Sequence, residues 1–190
     1  MAETKEHILK TSQKLFARFG LNKTTVDEIA KIAHVAKGTI YHYFKSKEEI
    51  FIEVIEKEAL LLQNEIRSSI EAAQSPQEKL RAFVLTRFRH LKELANYYSA
   101  LKDEYLSHYS FIDNARKKNF NEEIKMVGEI LQEGIKSKIF AIENVNLTAL
   151  AIVTALKGLE YPWTIETTLQ DIEKNIDILL KVLFEGIEAR

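Results

Sequence analysis

Apolar residues recur along this chain at helical spacing almost from end to end. Ile8, Leu15, Phe16 and Phe19 turn one face of a first helix inward, and Val26, Ile29, Ala30 and Ala33 fill the i, i+3, i+4, i+7 template completely. Ile50, Phe51, Val54, Ile55, Leu61 and Leu62 form a third stripe. Leu80, Phe83, Val84, Phe88, Leu91, Leu94 and Ala95 form a fourth, and Ile172, Ile176, Leu179 and Leu183 a last one. No segment sustains the period-two alternation of a half-buried strand. The pattern predicts an all-α protein of about nine helices, near 4–19, 26–33, 37–44, 47–72, 76–95, 98–109, 113–137, 146–161 and 169–188.

Helix-end chemistry agrees with this map. Thr25 with Glu28, Ser46 with Glu49, and Ser75 with Glu78 each spell a capping box, in which hydroxyl and carboxylate satisfy orphan amides at a helix start. Pro76 falls at a first helical position, where its missing N–H costs nothing. Gly20 suits a left-handed cap after the first helix, and Pro162 is expected to end the helix that begins near Asn146.

The first three helices are short and close together, and the later ones are long, as in a bundle. This predicts an N-terminal three-helix domain over residues 1–46, with a helix-turn-helix at 25–44. A larger helical domain follows over 47–190, joined without a flexible linker. Helices 26–33 and 37–44 are separated only by His34, Val35 and Ala36, the tight connection of a helix-turn-helix, whose second helix can enter a major groove. On a helical wheel Ala36, Ile40, Tyr43 and Phe44 face inward. Lys37, Gly38, Tyr41 and His42 face outward, with Thr39 at the edge.

Charge sharpens this picture. The 190 residues carry 27 Lys/Arg against 28 Asp/Glu, a formal charge of −1. Residues 1–50 hold nine cations against six carboxylates, and between Glu28 and Glu48 there is no acidic residue at all. A basic head on an acidic body is what a polyanion-binding end requires. Lys37, at a helix start, can reach a base edge or phosphate, and Thr39, Tyr41 and His42 offer donors to phosphate oxygens. Thr25 and Lys47 are placed for further phosphates. Gly38 costs a helix roughly 1 kcal/mol relative to alanine, which close approach of backbone to DNA would explain.

Composition removes other classes. With no cysteine, the chain has no disulfide framework, thiolate metal site or cysteine nucleophile, and it suits a reducing cytoplasm. The stretch Leu147–Leu159 is too short to span a bilayer, and the polar first residues lack a signal-peptide core, so no membrane partner is expected. His7, His34, His42, His90 and His108 show no ligand-gathering spacing, and no glycine phosphate loop or nucleophile elbow is present. Neither metal nor cofactor nor enzymatic activity is expected.

The run from about Lys5 to Ile55 resembles the tetracycline-repressor (TetR/AcrR) family of bacterial transcription regulators. The resemblance rests on "KLFARFG", "TTVDEIAKIA", "VAKGTIYHYF" and "KSKEEI", in that order and at the family's spacing. It implies a DNA-binding head followed by a ligand-binding and dimerisation domain, with DNA contacts at Thr25, Lys37, Gly38, Thr39, Tyr41, His42 and Lys47. Two positions depart from the family pattern. His34 stands where a turn glycine is usual, and Ala36 replaces the usual serine cap of the recognition helix.

The resemblance further implies a cytoplasmic homodimer on double-stranded DNA carrying a palindromic operator, released by a small hydrophobic effector through a shift of helix 47–72. The last two helices would form the dimer interface, with Leu150, Val153, Thr154, Lys157, Ile176, Leu179, Leu180 and Leu183 as candidates. The effector would sit among aromatic and apolar side chains, with Phe88, Tyr98, Leu101, Tyr105, Tyr109, Phe120 and Trp163 as candidates; tyrosine combines apolar area with a hydroxyl. Two rivals differ in class or sign: a helical small-molecule carrier or enzyme with a vestigial helix-turn-helix, and a transcriptional activator.

Overall fold

A computed structural model describes residues 2–91, 110–166 and 168–187. These form eight helices: α1 (Ala2–Lys23), α2 (Val26–Ile32), α3 (Lys37–Tyr43), α4 (Lys47–Ala72), α5 (Pro76–Leu91), α6 (Ser110–Lys136), α7 (Val145–Glu166) and α8 (Leu169–Ile187). The helix expected over 98–109 lies outside the described residues. No helix among them is long and apolar enough to cross a membrane. The described chain divides into two compact units, one holding residues 2–61 and 110–116, the other 62–91, 117–166 and 168–187.

The first unit is built on the inward faces of α1 to α4. Ile8, Leu15, Phe16, Ile29, Ala30, Ile40, Phe44, Ile50, Phe51, Val54 and Ile55 are all buried. Phe16 and Phe51 meet edge to face with centroids 5.0 Å apart, the arrangement that aromatic quadrupoles favour. Gly20 breaks α1 with φ 76° and ψ 167°, conformations that only glycine adopts without strain. Thr24 closes the break by donating its hydroxyl to the Gly20 carbonyl at 2.8 Å. The Lys47 ammonium then donates to the Leu21 carbonyl at 2.6 Å, tying the start of α4 to the end of α1.

Among the described residues, two apolar residues of the expected stripes stand in solvent. Phe19, beside the Gly20 break, is exposed with the Arg18 guanidinium 5.0 Å from its ring. Leu61 is exposed because the inward line of α4 runs through Glu58 and Leu62; Glu58 is buried and accepts from the Gln13 amide at 2.9 Å.

The second unit packs Leu80, Phe83, Val84 and Phe88 of α5 together with Val127, Ile130 and Leu131 of α6, Val153 and Leu156 of α7, and Ile172, Ile176 and Leu180 of α8. Ion pairs join its helices. Arg81 grips Asp177 through two N–H···O bonds of 2.7 and 3.1 Å, and buried Arg87 donates to buried Glu123 at 3.0 Å. Phe140, just past α6, stacks on Phe184 with centroids 6.2 Å apart. Its ring lies where a side chain on Gly134 would stand, because an added Cβ would be 2.0 Å from a ring carbon.

Two of the three expected capping boxes form completely, at Thr25 and Ser75; at Ser46 the return bond comes from Lys45, one residue before the cap. Glu28, Glu49 and Glu78 each donate their backbone N–H to the preceding hydroxyl at 3.2 Å. In return, the three carboxylates accept backbone N–H bonds from Thr25, Lys45 and Ser75. Two caps were not read from the sequence: Asn144 accepts from Leu147 N–H, and Thr168 accepts from Asp171 N–H. Contrary to expectation, Pro162 does not end α7, which continues to Glu166. The bond that a proline removes is the one to the carbonyl four residues back, on Gly158, and that residue is exposed.

Candidate nucleic-acid interface

α2 and α3 have seven residues each, too few to persist alone, so their environment decides their geometry. α2 starts on Thr25, whose hydroxyl accepts from Glu28 N–H while the Glu28 carboxylate accepts from Thr25 N–H at 2.8 Å. The Thr25 hydroxyl also donates to that carboxylate at 2.8 Å, and this bond first, then the one from the Thr25 amide, holds the Glu28 carboxyl below its ordinary pKa. α2 ends at Ala33, and His34 turns the chain with φ 53°. A left-handed backbone is uncommon for a residue with a side chain. Val35 N–H reaches back to the Ala30 carbonyl at 3.0 Å, completing the turn.

α3 starts on Ala36, in extended conformation and without a side-chain cap. Two buried residues anchor it, Ile40 at 1% exposure and Phe44 at 2%. Ala36 is exposed rather than inward, because a cap residue with extended φ and ψ does not follow the helical wheel. The outward set is as expected. Lys37, Gly38, Tyr41 and His42 are exposed, and Thr39 is half-buried.

Gly38 is informative. Nothing in the chain lies within 4 Å of where its Cβ would stand, and its φ is not positive. The fold therefore makes no demand for glycine here, although glycine weakens the helix by roughly 1 kcal/mol relative to alanine.

Thr25, Lys37, Tyr41 and Lys47 line one shallow concavity of about 400 Å³, together with Lys45, Asp27 and Glu48. Gly38, Thr39 and His42 do not line it; they continue the outward face of α3. Asp27, Lys45 and Glu48 were not singled out from the sequence. The Lys37 ammonium lies 2.9 Å from each Asp27 carboxylate oxygen, and this hydrogen bond, followed by the charge of Asp27, raises the Lys37 pKa.

The other candidate sets are less gathered. Phe88 is fully buried, and Phe120 is half-buried with the Lys157 ammonium 5.1 Å from its ring centroid. Tyr98, Leu101, Tyr105 and Tyr109 lie outside the described residues, as does the side chain of Trp163. Of the dimer candidates, Leu150, Thr154 and Lys157 are exposed, and Leu179 and Leu183 are half-buried. Val153, Ile176 and Leu180 are turned into the chain's own core, so they are not available to a second molecule. Among the described side chains, the large apolar residues that α7 and α8 leave exposed are Leu147, Leu150, Ile178 and Val182.

Residues 8–54, which contain this whole arrangement, match the family described as bacterial regulatory proteins, tetR family. The HTH-type transcriptional repressor KstR2 of Mycolicibacterium smegmatis is 31% identical over 144 residues, covering 73% of this chain and 68% of that protein. The HTH-type transcriptional regulator QacR of Staphylococcus aureus is 25% identical over 189 residues, 96% of this chain and 97% of its own. Among solved structures, SmeT in complex with triclosan shares the fold, with a TM-score of 0.79 over 98% of this chain and 92% of that one at 19% identity. With its helix-turn-helix at the matched position and a repressor relative covered over two thirds of its length, the chain belongs to the tetR family of bacterial regulatory proteins.

Proposed function

We propose that this regulator is a homodimeric repressor that reads a palindromic operator through α3 and is released by a small hydrophobic effector. The observation that carries the DNA-reading part is the outward face of α3. A glycine the fold does not need stands there beside Lys37, Tyr41 and His42, next to a concavity lined by Thr25, Lys37, Tyr41 and Lys47. Thr25, Lys37, Gly38, Thr39, Tyr41, His42 and Lys47 are the proposed contacts. Thr25 and Lys47 act under constraint, since the Thr25 hydroxyl is held in the α2 cap and the Lys47 ammonium on the Leu21 carbonyl. Each reaches a phosphate only with its remaining donors or by exchanging a partner.

One seven-residue helix reads few bases, so two copies are needed, with half-sites spaced by about 34–36 Å or a multiple of it. Leu147, Leu150, Ile178 and Val182, exposed on α7 and α8, supply the apolar surface for pairing. The functional division is residues 1–46 for DNA and 47–190 for effector and dimer. α4 begins at Lys47 and runs unbroken to Ala72, giving an effector a stiff connection to the head. That SmeT has been solved with triclosan supports a small-molecule effector here, with Phe88 and Phe120 among its candidate neighbours.

Fluorescence anisotropy on a duplex selected from a random-sequence library tests the reading. Wild-type affinity should fall steeply between about 50 and 200 mM salt, because bound lysines release counterions from phosphates. Lys37→Ala should weaken binding by about tenfold or more. A protein indifferent to salt and to Lys37→Ala does not read DNA through this face.

A further inference from the structure

In the free protein the lysine that opens the recognition helix is already occupied. Asp27, in the first turn of α2, holds the Lys37 ammonium at 2.9 Å through both carboxylate oxygens, across ten residues and the His34 turn. Both side chains are well exposed, Asp27 at 70% and Lys37 at 51%. The concavity they share is nearly balanced in charge, with Lys37, Lys45 and Lys47 facing Asp27 and Glu48. A surface meant only to grip phosphate would have no use for a carboxylate on its leading cation.

We infer that Asp27 is a specificity-determining positioning residue, which withholds Lys37 from phosphate while holding it toward base edges. The inference rests on the DNA-reading face proposed above and adds a role for a residue outside its contact set. Phosphates are present at every sequence, so a lysine free in solution strengthens binding to all DNA alike. Paired with Asp27, Lys37 gains little from an arbitrary phosphate, because the pair carries no net charge. On the operator the ammonium keeps Asp27 and turns its remaining N–H to a base acceptor such as guanine O6 or N7, which only the correct sequence presents. Asp27 therefore lowers sequence-independent affinity more than operator affinity and widens the ratio between them. An exposed pair of this kind adds little to folding, which leaves it adjustable for that purpose.

The test compares wild type, Asp27→Asn, Lys37→Ala and the double variant on the selected duplex and on a shuffled duplex of equal length, across a salt series. Asp27→Asn should raise affinity for the shuffled duplex by up to about eightfold near 0.1 M salt, and steepen its log–log salt slope by about one, the signature of one further released counterion. Affinity for the selected duplex should rise less, so the ratio narrows. In the Lys37→Ala background, Asp27→Asn should change neither affinity. Three results overturn the inference: an unchanged or wider ratio, a salt slope that does not move, or an Asp27→Asn effect that survives without Lys37, which would mean plain repulsion of phosphate. Failure of the underlying DNA-reading proposal looks different: wild type would then fail to distinguish the selected from the shuffled duplex at any salt. A melting temperature for each variant separates these effects from loss of fold.

Discussion

α2 and α3 are equal in length, adjacent in sequence and packed together, yet they are built by opposite rules. α2 has a complete capping box and acidic residues in its first turn, Asp27 and Glu28, favouring its positive end. α3 has no cap bond and no acidic residue in its first turn, has glycine as its second residue, and follows a histidine held in a left-handed turn. Local propensity alone would form α2 and leave α3 frayed. What α3 shares with α2 is a buried anchor: Ile29 at 0% exposure on one, Ile40 at 1% on the other. The difference suggests that α2 is optimised for folding, whereas the fold holds α3 in helical shape and leaves its surface to meet a partner.

The largest expected effect tests that shared anchor. Ile29→Ala and Ile40→Ala should each destabilise the protein by about 3 kcal/mol in chemical denaturation, since both remove a fully buried side chain. If Ile40→Ala costs far less than Ile29→Ala, tertiary anchoring does not explain α3. Next comes Gly38→Ala. Because the Cβ enters open space, thermal stability should rise by roughly 1 kcal/mol, while affinity for the selected duplex should fall at least tenfold. Retained DNA affinity would remove the reason offered for that glycine.

The caps give a reciprocal pair. Thr25→Ala should cost about 1 kcal/mol, whereas Ala36→Ser should add up to about 1 kcal/mol, because only the second helix has a vacant cap position. The smallest effect is on pH. The folded pKa of Glu28 is depressed by its bonds to Thr25, so its contribution is complete above the ordinary glutamate pKa and is lost as pH falls through the lowered one. Backbone NMR on acidification should show the Thr25 amide shifting only below the ordinary glutamate range, with no matching change at Ala36.

Features governed by near neighbours in sequence were legible before any coordinates. The capping boxes at Thr25 and Ser75, the inward Ile40 and Phe44, and the outward Lys37, Gly38, Tyr41 and His42 all depend on spacings of four residues or fewer. His34 and Ala36 were also marked in advance as the weak points of the turn, and they are the residue with positive φ and the helix start without a side-chain cap. Features joined across a turn were not legible. The pairing of Asp27 with Lys37 depends on how His34 redirects the chain, which no periodicity encodes.

The apolar helices failed for another reason. α7 is apolar nearly all round, so its pattern could not say that Val153 faces the core while Leu147 and Leu150 face outward. α8 is amphipathic, but its stripe is broad enough that Leu180, expected at the dimer interface, is core. Such helices announce that they have apolar surface to spare without announcing which side is spare.

Gly134 and Phe140 place a different kind of constraint on the molecule, one that acts on its descent. The ring of residue 140 occupies the space a side chain at 134 would need, and it stacks on Phe184 while doing so. Neither position can drift alone: alanine at 134 collides with the ring, and a smaller residue at 140 leaves a hole beside Phe184. Among diverging relatives the two positions should therefore change together or stay fixed, as a coupled pair.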